Sequence, residues 1–127
     1  RWLKQRDYEP DDIAEVIERL TSAGLLDDAR YAELFARSRL LDRKLSGRRV
    51  LLELGRRGIT REMAADAVRA VTEDEGVDEY ASAEAVALKK FRTMGSLAPD
   101  VARRRLFGFL ARRGYDSDVV RRVVAKL

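Results

Sequence analysis

The sequence predicts an all-α protein built from tandem three-helix repeats strung into an elongated, curved array. Three stretches share one register: Leu3-Lys4-Gln5-Arg6-Asp7-Tyr8, Leu54-Gly55-Arg56-Arg57-Gly58-Ile59 and Leu110-Ala111-Arg112-Arg113-Gly114-Tyr115. Apolar residues then recur at matching places: Ile13, Val16, Ile17 and Leu20; Ala64, Ala67, Val68 and Val71; Val120, Val123, Val124 and Leu127. Strand alternation is absent throughout. Self-similarity at a period of about fifty residues marks an array of one supersecondary unit. Such arrays present extended surfaces to a long partner rather than a deep catalytic pocket.

Residues 1–24 form a partial first unit, truncated at its start, with part of a second helix and then a helix from Asp11 to about Ser22. Pro10 sits at that helix's first position, where its missing N–H costs nothing. Arg1-Trp2-Leu3 already lies inside a repeat, so the natural chain is expected to begin earlier. In the second unit, residues 25–72, Asp27 is the expected N-cap and Asp28 favours the positive end of the helix dipole. Ala29 to about Asp42 carries apolar residues at helical spacing, with Tyr31 and Phe35 expected in the core. Ser46 and Gly47 break the pattern before a second helix, Arg48 to Arg57. Gly58 suits the left-handed residue after that helix, and Thr60 caps a third helix to about Val71. The third unit, residues 73–127, repeats the plan with helices at Tyr80 to about Thr93, Pro99 to Arg113 and Ser117 to Lys126. Gly114 and Asp116 take the places of Gly58 and Thr60.

Of the 127 residues, 46% are hydrophobic with little aromatic content, which suits helices packed through Leu, Val and Ala. No run approaches the ~18 apolar residues needed to cross a bilayer, and no secretory leader is visible. The lack of cysteine fits a reducing cytosol. The net charge of +4 is unevenly placed. Nine basic residues face two acidic ones within Arg37–Arg61, and eight face one within Lys89–Arg113. Two basic blocks at matching repeat positions suggest a stripe, whose natural partner is a polyanion.

On a helical wheel, Val50, Leu51 and Leu54 point one way, while Arg48, Arg49, Arg56 and Arg57 spread around the other side. In the copy, Leu106, Phe107 and Leu110 are expected inward, with Arg104, Arg105, Arg112 and Arg113 outward. A solvated helix face is the plain alternative for either arginine set. Phe109 falls on the basic face one turn from Arg105 and Arg113, and Trp2 holds the equivalent place before Arg6. Both are candidates for base stacking, with packing against a neighbouring repeat as the alternative. The acidic run from Glu73 to Glu79 reads as a solvated linker leading into an acidic helix N-terminus, not a metal loop.

Histidine and cysteine are absent, which removes the commonest general base, the thiol nucleophile and the usual zinc ligands. No glycine-rich phosphate loop precedes a helix. A nuclease using Glu53, Glu62 and Asp66 would draw carboxylates from different helices without a linking signature. No catalytic residue, metal site or cofactor is expected.

The segment Leu26-Asp27-Asp28-Ala29-Arg30-Tyr31-Ala32 with Phe35-Ala36-Arg37-Ser38-Arg39, followed by Gly47-Arg48-Arg49-Val50, Glu53-Leu54 and Arg57-Gly58-Ile59, resembles the RecX family. The likeness is strongest over residues 25–72; elsewhere repeat architecture and apolar register carry it. RecX proteins are bacterial regulators of the RecA recombinase built from tandem three-helix repeats. Tyr31, Phe35 and Gly58 match structural positions of the motif, and Arg37, Arg39, Arg48 and Arg57 match its basic ones. The resemblance implies a cytoplasmic, non-catalytic inhibitor that lodges in the groove of the RecA–single-stranded DNA filament. It further implies suppression of ATP hydrolysis, strand exchange and co-protease activity. The expected contacts to DNA or RecA are Arg37, Arg39, Arg43, Lys44, Arg48, Arg49, Arg56, Arg57, Arg104, Arg105, Arg112 and Arg113. The chain is expected to be a monomer that touches single-stranded DNA, with duplex DNA in second place. A general or sequence-selective DNA-binding protein, transcription-factor-like, is the alternative, since three-helix units can place a recognition helix in the major groove.

Overall fold

The computed structural model describes residue 24 and residues 27–127. The protein is all-α, in tandem three-helix repeats, with no strand among the described residues. Helix α1 covers 27–37 and runs into a π-helical turn, Ser38–Asp42. Then come α2 (Gly47–Arg56), α3 (Arg61–Glu75) and α4 (Glu79–Phe91). A 3₁₀ turn (Arg92–Met94) leads to α5 (Pro99–Arg112) and α6 (Ser117–Ala125).

Local capping explains the boundaries. The Ser46 hydroxyl accepts from the Arg49 N–H at 3.1 Å, Thr60 from Met63 at 3.2 Å and Asp116 from Val119 at 3.0 Å. Each satisfies an otherwise orphaned first-turn donor. Gly58 (φ +85°) and Gly114 (φ +94°) hold the left-handed turns after α2 and α5.

Each repeat wraps its own core. Ala32, Ala36, Val50, Leu54, Ile59, Ala64 and Val71 are buried in one, and Ala83, Ala87, Leu106, Leu110, Tyr115 and Val120 in the other. The pairs Val50–Leu106, Leu54–Leu110 and Ile59–Tyr115 hold corresponding places. Alanines on α1 and α4 let the second helices approach closely.

Four expectations change. Asp27 and Asp28 are already helical, so Asp27 is not an N-cap. Helix α3 continues through Glu73, Asp74 and Glu75 to a left-handed Gly76, so only the rest of the acidic run links units. Apolar register ends at Val71 because burial ends there, whereas helicity needs no burial. Tyr31 is 43% exposed, its ring lying against Phe35 with centroids 5.9 Å apart. Phe107 is surface-exposed as well, beside the inward Leu106.

The joint between repeats is built at the start of α2. The Ser46 N–H donates to the Arg113 carbonyl at 3.2 Å, and the Gly47 N–H to Glu79 Oε1 at 2.8 Å. The Arg49 guanidinium reaches the Arg112 carbonyl at 3.4 Å. The electronegative end of α5 and the Glu79 carboxylate thus meet the electropositive end of α2. The buried Tyr115 hydroxyl donates to the Lys44 carbonyl, and the Arg113 guanidinium donates to that of Arg43. Lys44 is held at φ +52°, a left-handed conformation unusual for lysine.

Candidate nucleic-acid interface

The arginines of the second repeat divide into two groups. Arg37 pairs with Glu75 at 2.5 Å and Glu33 at 3.6 Å. Arg49 and Arg39 both engage Glu53, at 3.0 and 3.5 Å. The Arg39 and Arg57 guanidinium groups lie 4.2 and 4.6 Å from the centre of the Phe35 ring. Burial pushes the Glu53 carboxyl up, but the hydrogen bond and charge of Arg49, with Arg39, outweigh it and hold the group below its ordinary value. Arg37, Arg39 and Arg49 are therefore paired with carboxylates within the fold, contrary to a uniformly outward basic face, whereas Arg57 stays exposed with its guanidinium over the Phe35 ring. The Arg37–Glu75 and Arg39–Glu53 pairs are tertiary and absent from any helical wheel, whereas Arg49–Glu53 is a local pair one turn apart on α2. Arg43, Arg48 and Arg56 are exposed and have no carboxylate partner among the described residues.

Glu53 is consequently unavailable to the carboxylate trio considered for a nuclease. Among the described residues no group of three or more acidic side chains could hold a metal ion.

The third repeat keeps Arg104, Arg105 and Arg112 exposed on α5. Arg113 is half-buried, because its guanidinium reaches back to the Arg43 carbonyl and lies 5.0 Å from the centre of the Phe109 ring. Lys90 Nζ stands 5.2 Å from the same centre. Phe109 is half-buried and packs against the core of its own third repeat rather than against a neighbouring one. Trp2 lies outside the described residues.

These elements enclose an open groove of about 810 Å³ between the two repeats. Its basic lining comes from Arg43 and Lys44 in the α1–α2 connection, Lys89 and Lys90 at the end of α4, and Arg112 and its capping neighbour Arg113 at the end of α5. A second groove of about 690 Å³ shares Lys90, Phe109 and Arg112 with it and adds Arg104 and Arg105. Together they make one basic trough past Phe109. Arg48 and Arg56 lie outside its lining. Lys89 and Lys90 were not singled out in the sequence, although the second basic block contains them. The cue was their place in the last turn of the helix that meets the neighbouring repeat.

A family model described as RecX, second three-helix domain, matches residues 27–68, and one described as RecX, third three-helix domain, matches residues 78–124. The chain belongs to the RecX family. Its RecX relatives include the regulatory protein RecX of Chromohalobacter salexigens, 39% identical over 123 residues, covering 97% of this chain and 76% of the relative. That of Amycolatopsis mediterranei is 34% identical over 122 residues, covering 96% and 68%. The crystal structure of RecX from Lactobacillus salivarius aligns with a TM-score of 0.70 at 22% identity, over 98% of this chain and 79% of that one. At that identity the likeness establishes the RecX fold. No helix among the described residues is long and apolar enough to cross a membrane.

Proposed function

We propose that this RecX-family regulator acts on RecA by binding the RecA–single-stranded DNA filament and restraining ATP hydrolysis, strand exchange and co-protease activity. The observation that carries the reading is the convergence of Arg43, Lys44, Lys89, Lys90, Arg112 and Arg113 from three separate elements on one open groove. Basic groups gathered along a groove raise the local potential and attract a polyanion. A joint fixed by Ser46, Gly47 and Tyr115 keeps them in register. The protein works as a non-catalytic cytoplasmic monomer, occupying its track rather than transforming a substrate.

RecA-dependent ATP hydrolysis on single-stranded DNA, measured with substoichiometric protein, tests this. Turnover is expected to fall as the protein is added. Unchanged turnover at saturating protein, with no binding to the filament, refutes it. Tight, sequence-selective duplex binding without RecA would instead make it a transcription-factor-like module.

A further inference from the structure

We infer that the inter-repeat groove is a site for a run of phosphodiesters in single-stranded nucleic acid, and that Phe109 is a positioning residue there rather than a base-stacking platform. This rests on the filament-binding reading and names the ligand chemistry and the binding groups.

The first observation is the state of the Phe109 ring. Base stacking needs an aromatic face free to receive a base. Phe109 is half-buried on its own core, and Lys90 Nζ and the Arg113 guanidinium already stand 5.2 and 5.0 Å from its centre. Cations over a ring are held by its quadrupole, so Phe109 fixes two positive charges in the groove wall.

The second observation concerns what the groove offers for hydrogen bonding. Telling all four bases apart needs acceptors, for the amino groups of adenine and cytosine, as well as donors. The neighbouring backbone acceptors are already engaged: the Arg43 carbonyl by Arg113, the Lys44 carbonyl by Tyr115, and the Leu41 carbonyl by Lys44 Nζ at 3.4 Å. Asp42 is the single carboxylate in the lining. The groove therefore presents mainly donors and positive charge, which match phosphate oxygens and are indifferent to base identity.

The test measures anisotropy of labelled 20-mers binding the full chain: oligothymidylate, an abasic strand with the same phosphates, and an uncharged methylphosphonate strand. The abasic strand should bind within about threefold of oligothymidylate, and the uncharged strand should lose at least about a hundredfold. Phe109→Leu should weaken the abasic strand and oligothymidylate by the same factor, whereas a stacking role would weaken only the strand with bases. Lys89→Gln with Lys90→Gln should lower the log–log salt slope by about 1.4, two single-strand phosphates' worth. Circular dichroism and melting confirm that each variant is folded. A tenfold or larger loss on removing bases overturns the proposal. So does an unchanged salt slope in the folded double variant.

RecA ATP hydrolysis is measured in parallel on the wild type. Inhibition that survives without detectable binding to bare DNA would sink the phosphodiester site and point to an acidic protein surface, leaving the regulatory reading intact. Loss of inhibition as well would remove both.

Discussion

The backbone at Gly114 lies so close to Arg49 that a Cβ at position 114 would stand 2.6 Å from the Arg49 Cβ. Gly114 also has φ +94°, which L side chains adopt at a cost. Gly58 holds the matching turn of the other repeat at φ +85°, with nothing within 4 Å of its virtual Cβ. Gly58→Ala should therefore cost only backbone strain, about 1 kcal/mol. Gly114→Ala should add overpacking of about 1–3 kcal/mol and loosen the joint between repeats. Urea unfolding of the two variants checks the difference.

Glu53 holds Arg39 and Arg49 together in the fold. Glu53→Gln should destabilise by about 1–2 kcal/mol near neutral pH, since charge-assisted hydrogen bonds are lost. The folded carboxyl titrates below its ordinary 4.5, so its contribution is complete above that value and is lost as pH falls through the folded value. Wild type and variant should converge in stability at the acid end of a pH series of denaturant melts. A gap that persists there would mean packing, not charge, sets the effect.

Tyr115 is pushed up to about 12 from 10.0, first by burial and then by the Glu79 carboxylate, against the opposing influence of Arg113 and Ser82. A phenol with a raised folded value contributes fully below pH 10, and the contribution fades as pH climbs toward about 12. Ultraviolet titration should show a late-ionising tyrosine that Tyr115→Phe removes. That variant should also lose about 1 kcal/mol, the hydroxyl's bond to the Lys44 carbonyl.

Removing charge should separate the two arginine classes. Arg112→Ala should lower the salt slope of single-stranded DNA binding by about 0.7 with little change in melting. Arg49→Ala should leave the slope unchanged and reduce stability, because Glu53 and the Arg112 carbonyl lose a partner. Filter binding at several salt concentrations, with thermal melts, distinguishes them.

Much of the fold was legible because its signals are local. Gly58, Thr60, Pro99, Gly114 and Asp116 mark ends that depend on a few neighbouring residues. Apolar spacing found Val50, Leu54, Leu106 and Leu110 but misplaced Phe107 and Tyr31, because spacing does not say where a neighbouring element stops. The π turn at Ser38–Asp42 also escaped, since its closing bond from Arg43 N–H to the Ser38 carbonyl has no sequence signature.

The candidate groove was legible only in part. The basic blocks contain Arg43, Lys44, Arg112 and Arg113, which line it. Which cations stay available depends on partners far along the chain, as with Arg37 and Glu75 or Arg39 and Glu53. The grouping of Arg43 with Lys89 and Lys90 arises only when the two repeats dock.

The most direct measurement compares RecA ATPase inhibition by two charge-reversed proteins, Lys90→Glu with Arg112→Glu inside the groove, and Arg48→Glu with Arg56→Glu outside it. The groove variant should raise the half-inhibitory concentration at least about tenfold, as two reversed contacts to a polyanion imply, while the outside variant changes it less than about twofold. Equal effects from both, or a larger one from the outside pair, would contradict the groove as the surface that meets the filament.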